Sequence, residues 1–273
     1  MSNINFKRFK NNNLGVDYVV GDIHGAYDSV LERMEQVKFN KKTDRLFSLG
    51  DLIDRGPQSA RVLAFLKKPY VHAVLGNHDA NFIWLSVPEI RALGQVNWNG
   101  MGWVSGESDE TLLEIQEAFK KLPIAIEVET VRGTVGLVHA GVPNGLEWNE
   151  FLMLLSVGNE QIINEALWGR DRVDKGDESG VIGIDRLFVG HSIQWNGPRR
   201  LGNVYYIDSG AIFQELGSDR GCLNVANLVC QSGILTIPTL PLGVYCDVGH
   251  GPFGDYATPV FANTQTGQEV SEL

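Results

Sequence analysis

The first third of the chain repeats one pattern three times: a short apolar run, a glycine-led polar turn, then a stretch with helical spacing. Val16 to Val20 runs into Gly21-Asp22-Ile23-His24-Gly25, and Val30, Leu31, Met34 and Val37 then recur on one helical face. Leu46 to Leu49 runs into Gly50-Asp51-Leu52-Ile53-Asp54-Arg55-Gly56. The helix expected from Pro57 sets Val62, Leu63 and Leu66 in register before Lys67, Lys68 and Pro69 close it. A third run, near His72 to Leu75, meets Gly76-Asn77-His78-Asp79, where Asp79 suits the start of a helix. This alternation predicts a βαβαβ opening whose three turns line one edge of one sheet. Turns at the carboxyl ends of such strands are where α/β proteins place ligands.

Further along, the rhythm changes. Asn97 to Gly106 reads as loop, with Trp98 and Trp103 taken as core or cap packing. A helix is predicted from about Ser108 to Leu122, with Leu112, Ile115, Phe119 and Leu122 on one face and Pro123 as its stop. Ile124 to Glu129 alternates apolar and acidic residues, turns at Arg132-Gly133 and returns through Thr134 to Val138, a hairpin that delivers His139-Ala140-Gly141. Helical patterns cover Trp148 to Leu167 with a break near Gly158, and Arg170 to Gly180 reads as a charged loop. Leu187 to Val189 leads into Gly190-His191-Ser192, and Val204 to Ile207 and Cys222 to Val229 read as late strands. The expected architecture is α/β: two facing mixed β-sheets flanked by helices, one parallel and the other more antiparallel. Residues 1–231 are expected to form one domain, with 232–273, rich in Pro and Gly, as an irregular extension packed on it.

Composition narrows the classes. With 273 residues and 43% hydrophobic content the chain can bury a sizeable core, and no apolar run approaches the ~18 residues of a membrane span. Met1 to Lys10 is charged with no apolar block behind it, so no signal peptide is expected. Three cysteines at wide spacing (Cys222, Cys230, Cys246) fit reduced thiols in a cytoplasmic setting and do not resemble a zinc site. A net charge of −10 argues against a protein that coats nucleic acid, yet allows an anionic substrate held by local cations. Nothing in the pattern fixes an oligomeric state.

The chemistry-bearing residues gather at strand ends: Asp22, His24, Asp51, Asn77, His139 and His191. Mixed oxygen and imidazole donors suit Mn²⁺, Fe or Zn²⁺, whereas Ca²⁺ takes more oxygen and structural Zn²⁺ takes thiolates. Six donors exceed what one catalytic ion with an open position needs and suit two ions sharing a carboxylate. Asp51, in the middle turn, is the natural bridge. His72 lies within its strand and reads as structural, and His250 reads as a loop histidine.

The three glycine-led turns, in this order and spacing, resemble the signature blocks of the phosphoprotein phosphatase branch of the metallophosphoesterases. His139-Ala140-Gly141 and Gly190-His191-Ser192 match the later histidine motifs of that family, and the likeness is nearest to the bacteriophage lambda-type and bacterial serine/threonine protein phosphatases. It runs from about Val16 to Val229 and includes Leu122-Pro123-Ile124, Leu167-Trp168-Gly169-Arg170 and Tyr206-Ile207-Asp208-Ser209-Gly210-Ala211. The resemblance implies a metallophosphoesterase-type β-sandwich over residues 1–231 and a dinuclear centre, with Mn²⁺ the foremost metal. Asp22, His24 and Asp51 would hold one ion, and Asp51, Asn77, His139 and His191 the other. His78 would protonate the leaving alkoxide, Asp54 would orient that imidazole, and Arg55 and Arg170 would clamp the phosphate, with Asn77 and His139 also facing the substrate.

The implied reaction is removal of phosphate from phosphoserine or phosphothreonine by direct attack of a metal-activated hydroxide, with small aryl phosphates as further substrates. No Cys-x5-Arg loop and no Gly-x4-Gly-Lys-Ser/Thr motif is present to support another phosphatase or a P-loop route. Two alternatives stand beside it: a dinucleoside polyphosphate hydrolase, and an inactive metal-binding scaffold. Asp79 stands where many protein phosphatases carry Glu and the symmetrical diadenosine tetraphosphate hydrolases also carry Asp, but those hydrolases typically lack the acid kept here as Asp54. The Ser-Ala-Pro-Asn-Tyr-Cys loop of the eukaryotic enzymes is absent, and Ser209-Gly210-Ala211 stands near its place, which speaks against control by eukaryotic subunits.

Overall fold

The three early apolar runs become β2 (Asp17–Val20), β3 (Arg45–Ser48) and β4 (Val71–Ala73), paired in parallel with Tyr18 opposite Leu46 and Phe47 opposite His72. Val19, Val20, Leu46 and Phe47 are buried, as strands covered on both faces require. The computed structural model describes residues 5–218 and 221–229, with the antiparallel pair Leu235–Thr236 and Tyr245–Cys246. The rest of the 232–273 extension, His250 included, lies outside the described residues.

Helices follow the turns with differences that have local causes. In α1 (Tyr27–Gln36), Tyr27, Val30 and Met34 face the core, while Leu31, a quarter turn away, is exposed. After the middle turn, a 3₁₀ turn at Ser59–Arg61 precedes the short α2 (Val62–Leu66). The delay reflects left-handed backbone at Asp54 and Arg55, which carries the turn past Pro57 before helical spacing can begin. The helix α3 (Asn77–Trp84) starts directly on the third motif. A further helix, α4 (Val87–Gln95), was not expected, although its capping box is written in the chain: Glu89 accepts from the backbone N–H of Ser86 at 2.7 Å. Instead of a loop, Trp98–Gly106 forms two 3₁₀ pieces broken at Asn99 and Gly100.

Opposite the first sheet stands a second, built from β1 (Phe6–Phe9), β5 (Ala125–Thr130), β6 (Gly133–Val138), β7 (Arg186–Val189), β8 (Arg199–Leu201) and β9 (Val204–Tyr206). Its order is β1-β5-β6-β7-β9-β8. It is less antiparallel than expected, because β1 joins β5, β6 joins β7 and β7 joins β9 in parallel. The helix α5 (Asp109–Phe119) leads from the first sheet into β5, α6 (Trp148–Ser156) and α7 (Glu160–Trp168) make the long crossover that the parallel pairing of β6 with β7 requires, and the short α8 (Asp171–Lys175) occupies the expected charged loop. A late strand, Val225–Asn227, closes the first sheet antiparallel to β2.

The two sheets meet through one apolar layer. Val19, Phe47, Leu49 and Val74 from the first pack with Ile126, Val128, Leu137 and Phe188 from the second. A second core, with Val30, Phe82, Phe119 and Phe151, includes helix side chains. Among the described residues no helix is long and apolar enough to cross a membrane.

At one margin of the sandwich His72 sits against Phe9 and Phe47, with ring centroids 4.6 and 5.2 Å away. Burial pushes its pKa down to about 4, the charges of Arg45 and Lys7 add to that, and Asp17 opposes it. An unfolded histidine takes up its proton near ~6.5, so between these values the unfolded chain binds more protons than the folded one. The stability due to neutral His72 is therefore present above ~6.5 and lost as pH falls through about 4. Replacing His72 with Phe should flatten the acid limb of the urea-midpoint profile between pH 7 and pH 4, and an NMR titration of His72 near 6.5 would contradict this reading.

Candidate metal centre

The turns that follow β2, β3 and β4 press together backbone to backbone. A Cβ on Gly76 would lie 2.1 Å from the Asp51 nitrogen, and one on Gly50 would lie 2.5 Å from the Gly76 nitrogen. Only glycine allows this approach, which is why the second and third turns open with one, while a Cβ on Gly21 would instead lie 2.9 Å from Ile207 O. Asp51 O accepts from the N–H groups of Ile23 and His24 at 3.2 and 2.8 Å, tying the first turn to the second. Asp79 ties the third to the second, its carboxylate accepting from Leu52 N–H at 2.9 Å and Gly76 N–H at 3.0 Å. Its role at the helix start is as expected, and the tie to Leu52 adds to it. Burial and the nearby Asp51 push its carboxyl up to about 8.

Five site residues adopt left-handed backbone: His24 (φ 46°), Asp51 (φ 47°), Asp54 (φ 68°), Arg55 (φ 66°) and His191 (φ 61°). Each costs about 1–2 kcal/mol relative to ordinary backbone. The strain turns these side chains off the strand ends and toward one another.

Two trios of ligand atoms result, each within 4.8 Å of one another: His24 with Asp51 and His78, and Asp51 with His139 and His191. Asp51 belongs to both. Asn77 joins the second trio, its Oδ1 standing 2.8 Å from His139 Nε2 and 2.9 Å from His191 Nδ1. Asp22 does not enter the first trio. Its carboxylate accepts from the backbone N–H of His191 at 3.0 and 3.2 Å and lines the same cleft.

The orientation of these groups fits a cation. His24 donates its Nδ1–H to Ile53 O at 2.9 Å, and His139 donates its own to Leu49 O at 2.7 Å. Each ring therefore turns an Nε2 lone pair inward, where it meets Asp51 Oδ2 at 3.4 Å and Asp51 Oδ1 at 3.5 Å respectively. Acceptors that face acceptors in a buried space call for positive charge between them. His191 Nε2 is buried and has no partner. Burial lowers His24 and His191 to about 3 and lowers His139 too, so all three rings are neutral near pH 7, the form that ligates metal. Burial raises Asp22 well above the usual carboxylate range, with Asp208 and Asp51 adding to it. Although burial opposes it, the imidazoles of His139, His78 and His24 hold Asp51 below that range.

His78 departs from the other histidines. Burial would lower it, but the charges of Asp51 and Asp54 outweigh burial and raise its pKa. Its Nδ1 stands 2.8 Å from Asp54 Oδ2, while Arg55 donates to the Nε2 atoms of both His78 and His24 at 2.9 and 3.0 Å. In this arrangement the His78 ring carries its hydrogen on Nδ1. Arg170 reaches the same cleft from the loop after α7, donating to His191 O at 3.1 Å and Ser192 Oγ at 3.2 Å. The cleft has a volume of about 320 Å³, with Asp51, His78 and both arginines in its lining.

The residues expected as ligands, acid, orienting carboxylate and phosphate clamp thus stand in or beside one cleft. Others there had no assigned role. Asp208 is buried, its carboxyl pushed up to about 6 by burial, with Asp51 adding to the push and the N–H of Gly210 opposing it. It follows an apolar run as the ligands do, and that signal was available. Asn99 and Trp168 also line the cleft, Asn99 from the stretch read as loop.

The model of the calcineurin-like phosphoesterase family matches residues 18–209. The chain is similar to serine/threonine-protein phosphatase 1 of Salmonella typhimurium, 32% identical over 219 residues that cover 76% of this chain and 92% of that protein. A shorter likeness, 46% identity over 68 residues, covers 24% of this chain and 25% of the symmetrical bis(5'-nucleosyl)-tetraphosphatase of Erwinia tasmaniensis. Among solved structures, the fold resembles that of a protein provisionally described as a diadenosine tetraphosphatase, with a TM-score of 0.60, 21% identity and coverage of 86% of this chain and 98% of that one.

The close approach of the turns yields a direct test. Gly76→Ala should destabilise the protein by about 3 kcal/mol or more, because the new methyl meets backbone that has no free rotamer to yield. Urea unfolding would measure it, and a loss below about 0.5 kcal/mol would show that the turns are not in contact.

Proposed function

The chain belongs to the calcineurin-like phosphoesterase family, and on that premise we propose that it is a metal-dependent serine/threonine protein phosphatase with Mn²⁺ as its foremost metal. The observation that carries this reading is the pair formed by Asp54 and His78, 2.8 Å apart and both buried, with His78 in the cleft lining. An alkoxide is a poor leaving group and needs a proton as it departs, so a phosphoserine or phosphothreonine hydrolase needs a positioned acid. The similarity to the Salmonella protein phosphatase over nearly all of its length supports the same reading.

Asp22, His24 and Asp51 would hold one ion, and Asp51, Asn77, His139 and His191 the other. Two divalent ions there would lower the pKa of a shared water and offset the charge of the phosphate. The remaining work falls to the chain's own side chains. Arg55 and Arg170, both in the cleft lining, present planar forks to the phosphate oxygens, with Asn77 in the same lining and His139 2.8 Å behind its Oδ1. When Arg55 turns from His78 Nε2 to the phosphate, that nitrogen is free to carry a proton. Asp54 accepts from Nδ1 and stabilises the doubly protonated ring. As the bond from phosphorus to the incoming water oxygen forms, the bond to the leaving oxygen breaks and its electron pair takes the proton from His78 Nε2. No covalent phosphoenzyme is required.

A second reading, hydrolysis of dinucleoside polyphosphates, draws on the local likeness to the Erwinia tetraphosphatase and on Asp79 in place of Glu. A substrate panel separates the two: a phosphothreonine peptide should be turned over faster than diadenosine tetraphosphate, and the reverse order would overturn the protein-phosphatase reading. Any metal-dependent turnover dismisses an inactive scaffold.

Two further outcomes are expected. His78→Asn should retain metal binding yet slow release of an alkyl leaving group by about 10²–10⁴, the usual worth of a general acid, with a much smaller loss for 4-nitrophenyl phosphate. Chelation should abolish turnover and lower the melting temperature, and added Mn²⁺ should restore both, because ligands that bind only the folded form stabilise it. Activity that survives exhaustive chelation, with metal content verified at zero, would refute the dinuclear assignment.

A further inference from the structure

The turn holds Asp54 by its backbone, Gly56 N–H donating to Asp54 O at 2.7 Å, but gives its carboxylate no partner. Its backbone is left-handed at φ 68° and its carboxylate is buried, so what fixes the carboxylate plane must come from elsewhere. One oxygen, Oδ2, faces His78; the other accepts the indole N–H of Trp103 at 3.0 Å. Trp103 lies 49 residues further along the chain, in the 3₁₀ segment that the sequence presents as a glycine-rich loop.

The indole is itself anchored to the element that carries the acid. Its ring stacks on Phe82 with centroids 5.7 Å apart and planes 20° apart, and Phe82 belongs to α3, the helix that begins with Asn77 and His78. The same segment clasps the residue next to Asp54. Gly100 O accepts from Arg55 N–H at 3.2 Å, and Gly100 comes so near that a Cβ there would lie 2.3 Å from the Arg55 nitrogen. Beyond Trp103, Arg91 of α4 donates to Glu107 O at 2.6 Å and holds the segment down.

We propose that Trp103 is a positioning residue for proton donation: by holding Asp54 Oδ1 it fixes which carboxylate lone pair meets His78 and so aims the imidazole at the leaving oxygen. This rests on the reading of His78 as the general acid. A carboxylate held at one oxygen can rotate about its last torsion, whereas one held at both cannot. Without the indole, Asp54 turns, the His78 ring loses its fixed orientation, and substrates that need the proton suffer while those that do not are spared. A tryptophan that served packing alone would affect both kinds of substrate alike.

Trp103→Phe removes the N–H and keeps a ring on Phe82. With Mn²⁺ supplied, its kcat on a phosphothreonine peptide should fall about tenfold, the size of one hydrogen bond to a charged group, and that on 4-nitrophenyl phosphate by less than about twofold, with KM values unchanged. The ratio of the two rates within one preparation does not depend on how much of it is folded. Equal losses on both substrates, or no loss on the peptide, would overturn the proposal. In an Asp54→Asn background the Trp103→Phe change should cost nothing further, and an undiminished loss there would overturn the route through Asp54. His78→Asn separates the two levels. If it is selective for the alkyl leaving group and Trp103→Phe is not, only the role of Trp103 fails; if His78→Asn is itself unselective, the general-acid reading fails and the role of Trp103 with it.

Discussion

Asp51 is the point on which the site depends, because one carboxylate belongs to both groups of ligand atoms. It faces His24 through one oxygen and His139 through the other, and the first oxygen set cannot shift without moving the second. Its backbone oxygen meanwhile holds the first turn, and its Oδ1 accepts from the N–H of His78 at 2.9 Å, which fixes the start of α3. A single residue thus holds the first turn by its backbone oxygen, and the third turn and both ligand groups by its side chain. The glycines at 50 and 76 exist to let that residue in, and the left-handed backbone of its neighbours is tolerated because the packed turns leave no other course.

Much of this was legible along the chain, for a physical reason. Strands buried on both faces read as continuous apolar runs, and their carboxyl ends are where polar residues converge, so Asp22, His24, Asp51, Asn77, His139 and His191 could be collected without knowing a distance. Short elements were less legible. The strand Phe6–Phe9 sets Lys7 and Arg8 side by side between two Phe, with no period of two to announce it, and α4 was announced only by Ser86 and Glu89 three residues apart. The order of strands in the second sheet was not legible, since a hairpin and two crossovers yield similar local patterns but different pairings.

Trp103 shows a different kind of limit. It stands among Gly100, Gly102 and Gly106 with only Met101 and Val104 as apolar neighbours, its segment lacks a period of 3.6, and its partner lies far back in the chain. Packing against Phe82 was foreseeable in kind, but the N–H bound to Asp54 depends on a tertiary approach that no spacing encodes. Asp208 is the opposite case: it ends an apolar run as the ligands do, and lacked a role only because the resemblance assigned it none.

His139 belongs to the second sheet and Leu49 to the end of a strand in the first, and the bond between them, 2.7 Å from Nδ1 to O, crosses the apolar layer at the site. The N–H of Gly190 donates to His139 O at 2.7 Å, so the histidine is fastened on its own side as well. Sliding one sheet over the other would therefore tear the ligand cage apart. Room for a bulky phosphoester has to come from the rim, where Asn99, Trp168 and Arg170 sit on segments outside both sheets, while the sandwich beneath acts as a rigid jig.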